Sequence, residues 1–565
     1  MKAGRHHSRG YHAGLVLGLA VATCAGAGAG CKKASARADG DGSSSAGNAP
    51  DPAALSVRFI RAANGYSVGV EMTLTGAPVA KVKALRATRG WGGTAPLKAI
   101  SHVEVSDAGG AISVGDPVDD GGFSLMRLGR APMGTLVVRY KARVNDGASR
   151  FELHGGPAGL SAAGHGFLLR PATDEAVPIT VRFSSENAAW RGTFASSAEG
   201  LSRGTVEDLA AAVYTFGDIR VESAQRGEQA VMAFGARLDG KAALGLMGRT
   251  AEYAKKFWGV ADSTKAGEKS LFVIGETGAG EQHDGALLGS ALAIWIDRER
   301  ALDDGVKVLI AHEALHRVFG DALRVDANGR DAAWFSEGFA TFYARKVLFD
   351  EGLLGAEGFA ADVNRARGNE ADSGARDGGA HAVGYTLGER YAALLDVATR
   401  ARSKGTHSLN DIVKALAVEA GQMGGPVKVA RFREIAAAEV GEEKERALWD
   451  GLIVGALGEV PSDAYGPCFT RKTKTTIVPM LGFDAASLRD KPLMIRGTVP
   501  GSNAEKAGVH DGALVLKSSV KNEANVDPDQ AVELVLAGAK GKRVVRYKPF
   551  KKESVTRFEP VACTK

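Results

Sequence analysis

Between Val306 and Asp321 the chain reads VKVLIAHEALHRVFGD, in which His312 and His316 stand four residues apart with Glu313 beside the first. Val308, Leu309, Ala311, Leu315, Val318 and Phe319 recur around them at helical spacing and predict a helix with one face against a core. Unpaired imidazoles on such a face would be costly. Residues four apart on a helix rise about 6 Å on the same side, so both rings can direct a nitrogen to one cation at about 2.0–2.1 Å. Zinc suits such a pair. Glu313, next to the first ligand and angled away from ligation, is placed to act as general base on a metal-activated water.

Catalytic zinc needs a third protein ligand and an open position. The next helical stretch, Trp334-Phe335-Ser336-Glu337-Gly338-Phe339-Ala340-Thr341-Phe342-Tyr343, carries Glu337 as a lone carboxylate among apolar residues. Buried without a partner it would cost several kcal/mol, and zinc is the natural partner. A third histidine six residues after His316 is excluded, because Ala322 stands there. The expectation is one zinc ion per chain, held by His312, His316 and Glu337.

The elements that must position these residues emerge from patterning along the 565 residues. That length exceeds one core and predicts several domains. With 45% hydrophobic and 24% charged residues the chain reads as globular, and a net charge of +6 without an aromatic-interleaved basic patch argues against a nucleic-acid partner. Much of that charge lies between Cys468 and Lys565, with 18 Lys+Arg against 10 Asp+Glu.

A basic start (Lys2, Arg5, Arg9) and a short apolar run from Ala13 to Thr23 predict an export signal over 1–31, too short to span a bilayer. Both Cys24 and Cys31 follow small residues in an imperfect lipobox; lipidation at Cys31 is the favoured reading, giving a lipid-anchored protein of a bacterial cell envelope whose only membrane contact is the anchor. Residues 32–52 are Gly, Ser, Ala, Asp and Pro and predict a disordered linker. Segments such as LSVRFIRA and VPITVRFSS alternate with period two, so 53–203 is expected to be a β-sandwich-like domain. Helical periodicity with two strand-like runs, KSLFVIGE and ALAIWIDRE, predicts a mainly helical catalytic domain over 204–462, and strands return in 463–565. The fold class is therefore multidomain α+β. Cys468 and Cys563, an even pair in an exported chain, are expected to form a disulfide.

On these motifs the chain resembles the gluzincin metallopeptidases, which pair a His-Glu-x-x-His helix with a distal glutamate in a W-x-x-E-G-F context. Within them it resembles the glycyl aminopeptidases that carry a C-terminal PDZ domain, through VYTFGDI (213–219), the stretch from His381 to Leu416, and the tail. The resemblance implies a thermolysin-like catalytic domain and a tyrosine, matched by Tyr385, that steadies the oxyanion. Tyr343 and Tyr391 are weaker candidates for that role, because both lie on apolar faces. It also implies a substrate-binding edge strand, matched by Gly285, Ala286, Leu287 and Leu288, where the family's amine-binding glutamate is absent. The tail resembles a PDZ domain, with Leu481, Gly482 and Phe483 matching the loop that binds a peptide carboxylate through backbone N–H groups.

The expected activity is zinc-dependent hydrolysis of peptide bonds in peptide or protein substrates, in the manner of an aminopeptidase. Two alternatives stay open: an endopeptidase without free-amine recognition, and a non-catalytic peptide-binding envelope protein.

Overall fold

The computed structural model describes residues 52–563 except 92–93, 145–149, 157, 186–189, 196–203, 226, 262–267, 277–283, 328–331, 374–382, 489–490, 521–526, 528 and 539–540. The expected signal segment, both lipidation candidates Cys24 and Cys31, and nearly all of the linker lie outside the described residues. The chain is multidomain α+β and divides into two compact units, one of 1–359 with 366–460 and one of 360–365 with 461–565. No described helix is long and apolar enough to cross a membrane.

The first unit opens with β structure. A six-stranded sheet runs in the order 179–185, 54–61, 67–75, 136–143, 100–107, 110–112, and two four-stranded sheets accompany it. Alternation in Leu55, Val57 and Phe59, and in Val68, Val70, Met72 and Leu74, sends each of these side chains into one core at 2% exposure or less. The strand Val213–Gly217, beyond the expected boundary at 203, pairs with both Gly159–Ala163 and Arg191–Ala195. A second core cluster joins Trp91, Phe151 and Val213 to the sheet described next, which is why no division falls at 203.

That sheet has five strands: β1 (Ile219–Ser223), β2 (Gln229–Ala233), β3 (Lys269–Glu276), β4 (Asp284–Leu288) and β5 (Ala291–Asp297). Their order is β1-β2-β3-β5-β4, with β2, β3 and β5 parallel and β4 antiparallel to β5. β3 and β5 are near-continuous apolar runs buried on both faces, as central parallel strands require. β4, on the margin, keeps one backbone edge unpaired within the sheet.

Four helices complete the site. α1 (Gly240–Trp258) starts on an Asp239 cap and ends on Gly259 in the left-handed region, φ 74°. α2 (Asp304–Leu315) is capped by Asp303, whose side chain accepts from the Val306 N–H. α3 (Ala333–Asp350) is largely buried, and α4 (Gly388–Arg402) follows a π-helical turn, Val383–Leu387. Trp258 of α1, Phe319 just beyond α2, Trp334, Phe339 and Tyr343 of α3 and Tyr391 of α4 join these elements at ring separations of 4.7–6.2 Å. Burying each such ring stabilises the assembly by about 1.5–3 kcal/mol.

The second unit contains an 11-residue antiparallel ribbon, Phe469–Pro479 with Phe550–Pro560, and a three-stranded sheet of 515–518, 532–538 and 541–547. Cys468 and Cys563 are disulfide-bonded across a sequence separation of 95, with Cα atoms 5.1 Å apart.

Candidate active site

α2 carries His312 on its last turn and ends at Leu315; His316 is the C-cap residue and keeps helical dihedrals, φ −63° and ψ −22°. The helical relation between the two imidazoles therefore survives the end of the helix. Their rings stand 4.8 Å apart and nearly perpendicular. α3 packs across α2 and brings Glu337 to both: Oε2 lies 3.4 Å from His312 Nε2 and 3.3 Å from His316 Nε2. Among the described residues this is the one trio of His, Cys, Asp or Glu side chains able to share an ion, its ligand atoms all within 4.8 Å of one another.

Zinc fits this trio. Ligand bonds of about 2.0–2.1 Å arranged tetrahedrally separate neighbouring ligand atoms by about 3.3–3.4 Å, which matches the two separations from Glu337 Oε2. His316 Nε2 and Glu337 Oε2 are buried without a hydrogen bond, a cost that a cation between them removes. Each ring is also turned to present a lone pair. Thr341 Oγ1 donates its proton to the Glu337 carbonyl at 2.7 Å, so toward His312 Nδ1, 3.3 Å away, it can only accept. His316 Nδ1 faces the Phe319 carbonyl at 3.3 Å, which can only accept. Both Nδ1 atoms therefore carry hydrogen and both Nε2 atoms face the acid.

On the protein's own groups, burial is the largest influence on each charge and disfavours all of them. For Glu337 the two histidines overcome it and hold the carboxylate well below the usual range. For His316 the charge of Glu337 overcomes it and raises the imidazole to about 9, while His312 is left lowered.

Glu313 is fully buried, and neither of its carboxylate oxygens has a hydrogen-bond partner. Burial pushes it up to about 8, with repulsion from Glu337 and Asp284 acting the same way and His316 opposing. Gly285 of β4 lies against it: a Cβ at that position would lie 2.8 Å from Glu313 Cγ and 3.0 Å from Cδ and Oε1. The edge strand thus touches the base directly. Of the other three residues matched to the substrate strand, Ala286 and Leu288 point into the core beside Trp91 and Phe151, and Leu287 is half-buried.

Tyr385 sits in the π-helical turn with its ring 5.9 Å from that of His312 and nearly parallel to it. Burial, then the charges of Glu337 and Glu313, raise its hydroxyl well above the usual range, so it stays a donor. Tyr343 packs between Trp258 and Phe319, and Tyr391 against Trp334; both are fully buried among aromatic rings of the core. In the second unit Leu481 and Phe483 belong to the core and Gly482 adopts φ +87°. Of this loop only the backbone is left to meet a ligand.

Three contributors to the site are not among the residues singled out from the sequence. Thr341 orients His312 from one turn beyond Glu337. Arg150 bridges Glu276 at 3.0 Å and Asp284 at 3.5 Å, the residues on either side of 277–283, and so ties the start of β4 to the end of β3. Gly338 and Gly388 meet where α3 crosses α4. The threonine four residues after Glu337 was readable as a same-face neighbour; the other two rest on contacts distant in sequence.

No protein-family model matches the chain, and no curated protein matches it in sequence. Among solved structures it is similar to an aminopeptidase N family protein from Idiomarina loihiensis, with a TM-score of 0.63 at 12% identity, covering 90% of this chain and 98% of that one. It is more distantly similar to leukotriene A4 hydrolase from Saccharomyces cerevisiae, with a TM-score of 0.43 at 10% identity over 70% of this chain and 66% of that one. Aminopeptidase A from Legionella pneumophila gives 0.42 at 9% identity, over 90% of this chain and 56% of that one. The first of these likenesses shows that the chain shares the fold of an aminopeptidase N family protein over nearly its whole described length.

Proposed function

We propose that this chain is a zinc-dependent metallopeptidase acting in the manner of an aminopeptidase. The observation that carries the reading is the convergence of His312, His316 and Glu337 with a buried, unpartnered Glu313 at their side. Zinc held by those three residues would supply a Lewis acid for the scissile carbonyl and acidify water. The chain's own groups do the rest. The free edge of β4 pairs with an extended substrate as an added strand. Glu313 accepts a proton from the attacking water at its carboxylate and passes it to the departing amine nitrogen. Tyr385, kept protonated, donates its hydroxyl hydrogen to the carbonyl oxygen as negative charge grows there. A purely structural zinc site would have no use for Glu313, which argues against a non-catalytic protein.

One observation favours the endopeptidase alternative. Residues 285–290, in the region that matches the resembling family's edge strand, hold no glutamate, and Ala286 and Leu288 are buried in the apolar core, so beyond Asp284 this stretch offers no carboxylate to a free amino terminus. The likeness to PDZ-containing glycyl aminopeptidases, a peptide-carboxylate site at Leu481, Gly482 and Phe483, export and lipidation at Cys31 belong to the same proposal and rest on sequence motifs.

The test is Glu313→Gln against wild type on a mixed peptide library, free and amino-acetylated. Hydrolysis is expected to fall about 10²–10⁴-fold with zinc content unchanged. Cleavage of free peptides alone supports the aminopeptidase reading, and cleavage of acetylated ones the endopeptidase. Equal inertness of both proteins, each holding one zinc, defeats the proposal.

A further inference from the structure

The helix of the third ligand and the helix behind Tyr385 approach unusually closely. A Cβ on Gly338 would lie 2.3 Å from the Gly388 carbonyl carbon and 2.4 Å from its Cα; one on Gly388 would lie 2.4 Å from the Trp334 carbonyl oxygen. Neither glycine has a positive φ, so both are required by space and not by backbone conformation. The contact sits one residue after Glu337 and three after Tyr385.

Beyond this crossing lies an ion pair that the proposed chemistry does not use. Glu337, Thr341 and Arg345 are spaced four apart on α3 and form one stripe. Arg345 Nη1 meets Glu389 Oε1 at 3.3 Å, with side chains only 4% and 9% exposed. Glu389 is four residues after Tyr385, in the first turn of α4. So the stripe of α3 that carries the proposed ligand and the orienting threonine ends on a charge that grips the helix following Tyr385.

Between these two contacts and the site lies the π-helical turn Val383–Leu387. Such a turn changes the angle at which its side chains leave the helix and is uncommon without a cause that holds it. It rests on α3: a Cβ on Gly384 would be in ordinary contact with Ala333 Cβ at 3.4 Å and Glu337 Cγ at 3.7 Å. A buried ion pair confers little net stability but favours one register, because a slip pulls two opposite charges apart in the interior.

We propose that Arg345 and Glu389, with the Gly338–Gly388 contact, are positioning residues that hold the turn Val383–Leu387 against α3 and so aim the Tyr385 hydroxyl at the group formed by His312, His316 and Glu337. The inference rests on the functional reading above for its catalytic consequence and on the fold alone for its structural one. A backbone crossing without side chains sets the distance between the helices, and the ion pair sets their relative rotation.

The experiment compares full-length wild type, Glu389→Gln, Tyr385→Phe, the double variant of these two, and Arg345→Met/Glu389→Met, which replaces the pair with apolar side chains of similar length. Amide exchange read by mass spectrometry over 383–388 is measured with and without zinc. Exchange there should be at least several-fold faster in Glu389→Gln than in wild type, with 304–315 unchanged. Chelator competition should give the same zinc affinity for every variant. On a peptide that wild type cleaves, Glu389→Gln should lose about tenfold or more in kcat with KM unchanged, and the same substitution should cost nothing further in the Tyr385→Phe background. Arg345→Met/Glu389→Met should fold and show the same kcat loss; full activity in that variant overturns the proposal, as does additivity of Glu389→Gln with Tyr385→Phe. A wild type that cleaves no peptide defeats the functional reading only, and the exchange measurement then decides the positioning claim by itself: unchanged exchange over 383–388 refutes it.

Discussion

Replacing Gly285 by alanine should slow the reaction without unfolding the protein. Gly285 has no positive φ, so alanine is compatible with its backbone; what forbids a methyl group is the Glu313 side chain, 2.8–3.0 Å away at three atoms. Carbon contacts in proteins settle at about 3.5–4.0 Å, so either β4 or the carboxylate must move by several tenths of an ångström to about 1 Å. β4 is hydrogen-bonded to β5 along its length, and Ala286 and Leu288 anchor it in the core, whereas the Glu313 oxygens have no hydrogen bond to hold them. The carboxylate should be the part that yields. A displacement of about 1 Å of a reacting group costs up to about 10²-fold in rate, while overpacking one methyl costs about 1–3 kcal/mol of stability. Steady-state kinetics on a cleaved peptide should therefore show kcat reduced about 10–100-fold, with zinc content intact and the circular dichroism spectrum unchanged. Wild-type kcat in Gly285→Ala would refute the idea that the edge strand locates the base.

Three other predictions address separate parts of the molecule. Thr341→Val removes the acceptor for His312 Nδ1 and should weaken zinc binding about 10-fold or more in chelator competition; an unchanged affinity would show that ring orientation is set elsewhere. His165, half-buried with Nδ1 3.0 Å from Thr88 Oγ1 and its ring 4.7 Å from that of Trp91, is lowered by burial, then by Arg170, to about 4, with Glu207 opposing. Its folded-state value lies below its unfolded value of 6.5, so the unfolded chain takes up the proton first. Stability contributed here is complete above about pH 6.5 and is lost as pH falls toward 4, by up to about 3 kcal/mol. Urea titrations of His165→Asn followed by tryptophan fluorescence should show a flatter pH dependence than wild type over that window, and parallel curves would count against this account. Replacing Cys468 and Cys563 by serine opens a loop of sequence separation 95 and should destabilise the second unit by about 4–5 kcal/mol, read as faster proteolysis within 461–565 but not within 204–460; uniform resistance would contradict it.

What the sequence determined by itself is the local chemistry. Two imidazoles four residues apart need only a helix to face one way, and that helix follows from the apolar spacing of Val308, Leu309, Ala311 and Leu315 and from the Asp303 cap. Glu337 was legible for a related reason: a single acid in a stretch where almost every neighbour is apolar has to be buried, and a buried acid needs a partner. The strand pattern of Lys269–Glu276 and Ala291–Asp297 was equally visible, because parallel strands covered on both faces are apolar throughout.

Only the tertiary structure decided how these pieces meet. Nothing in the order of residues says that a glycine on β4 lies against Glu313, that Arg150 ties together the residues flanking 277–283, or that Gly338 and Gly388 allow two helices to touch. Nor does it say that Val213–Gly217 belongs to a sheet begun before residue 203. The physical reason is common to all of them. Helical periodicity and apolar content act between neighbours along the chain, whereas close approach, register and charge pairing between distant segments depend on how whole surfaces pack, and many arrangements share one pattern until the core is filled.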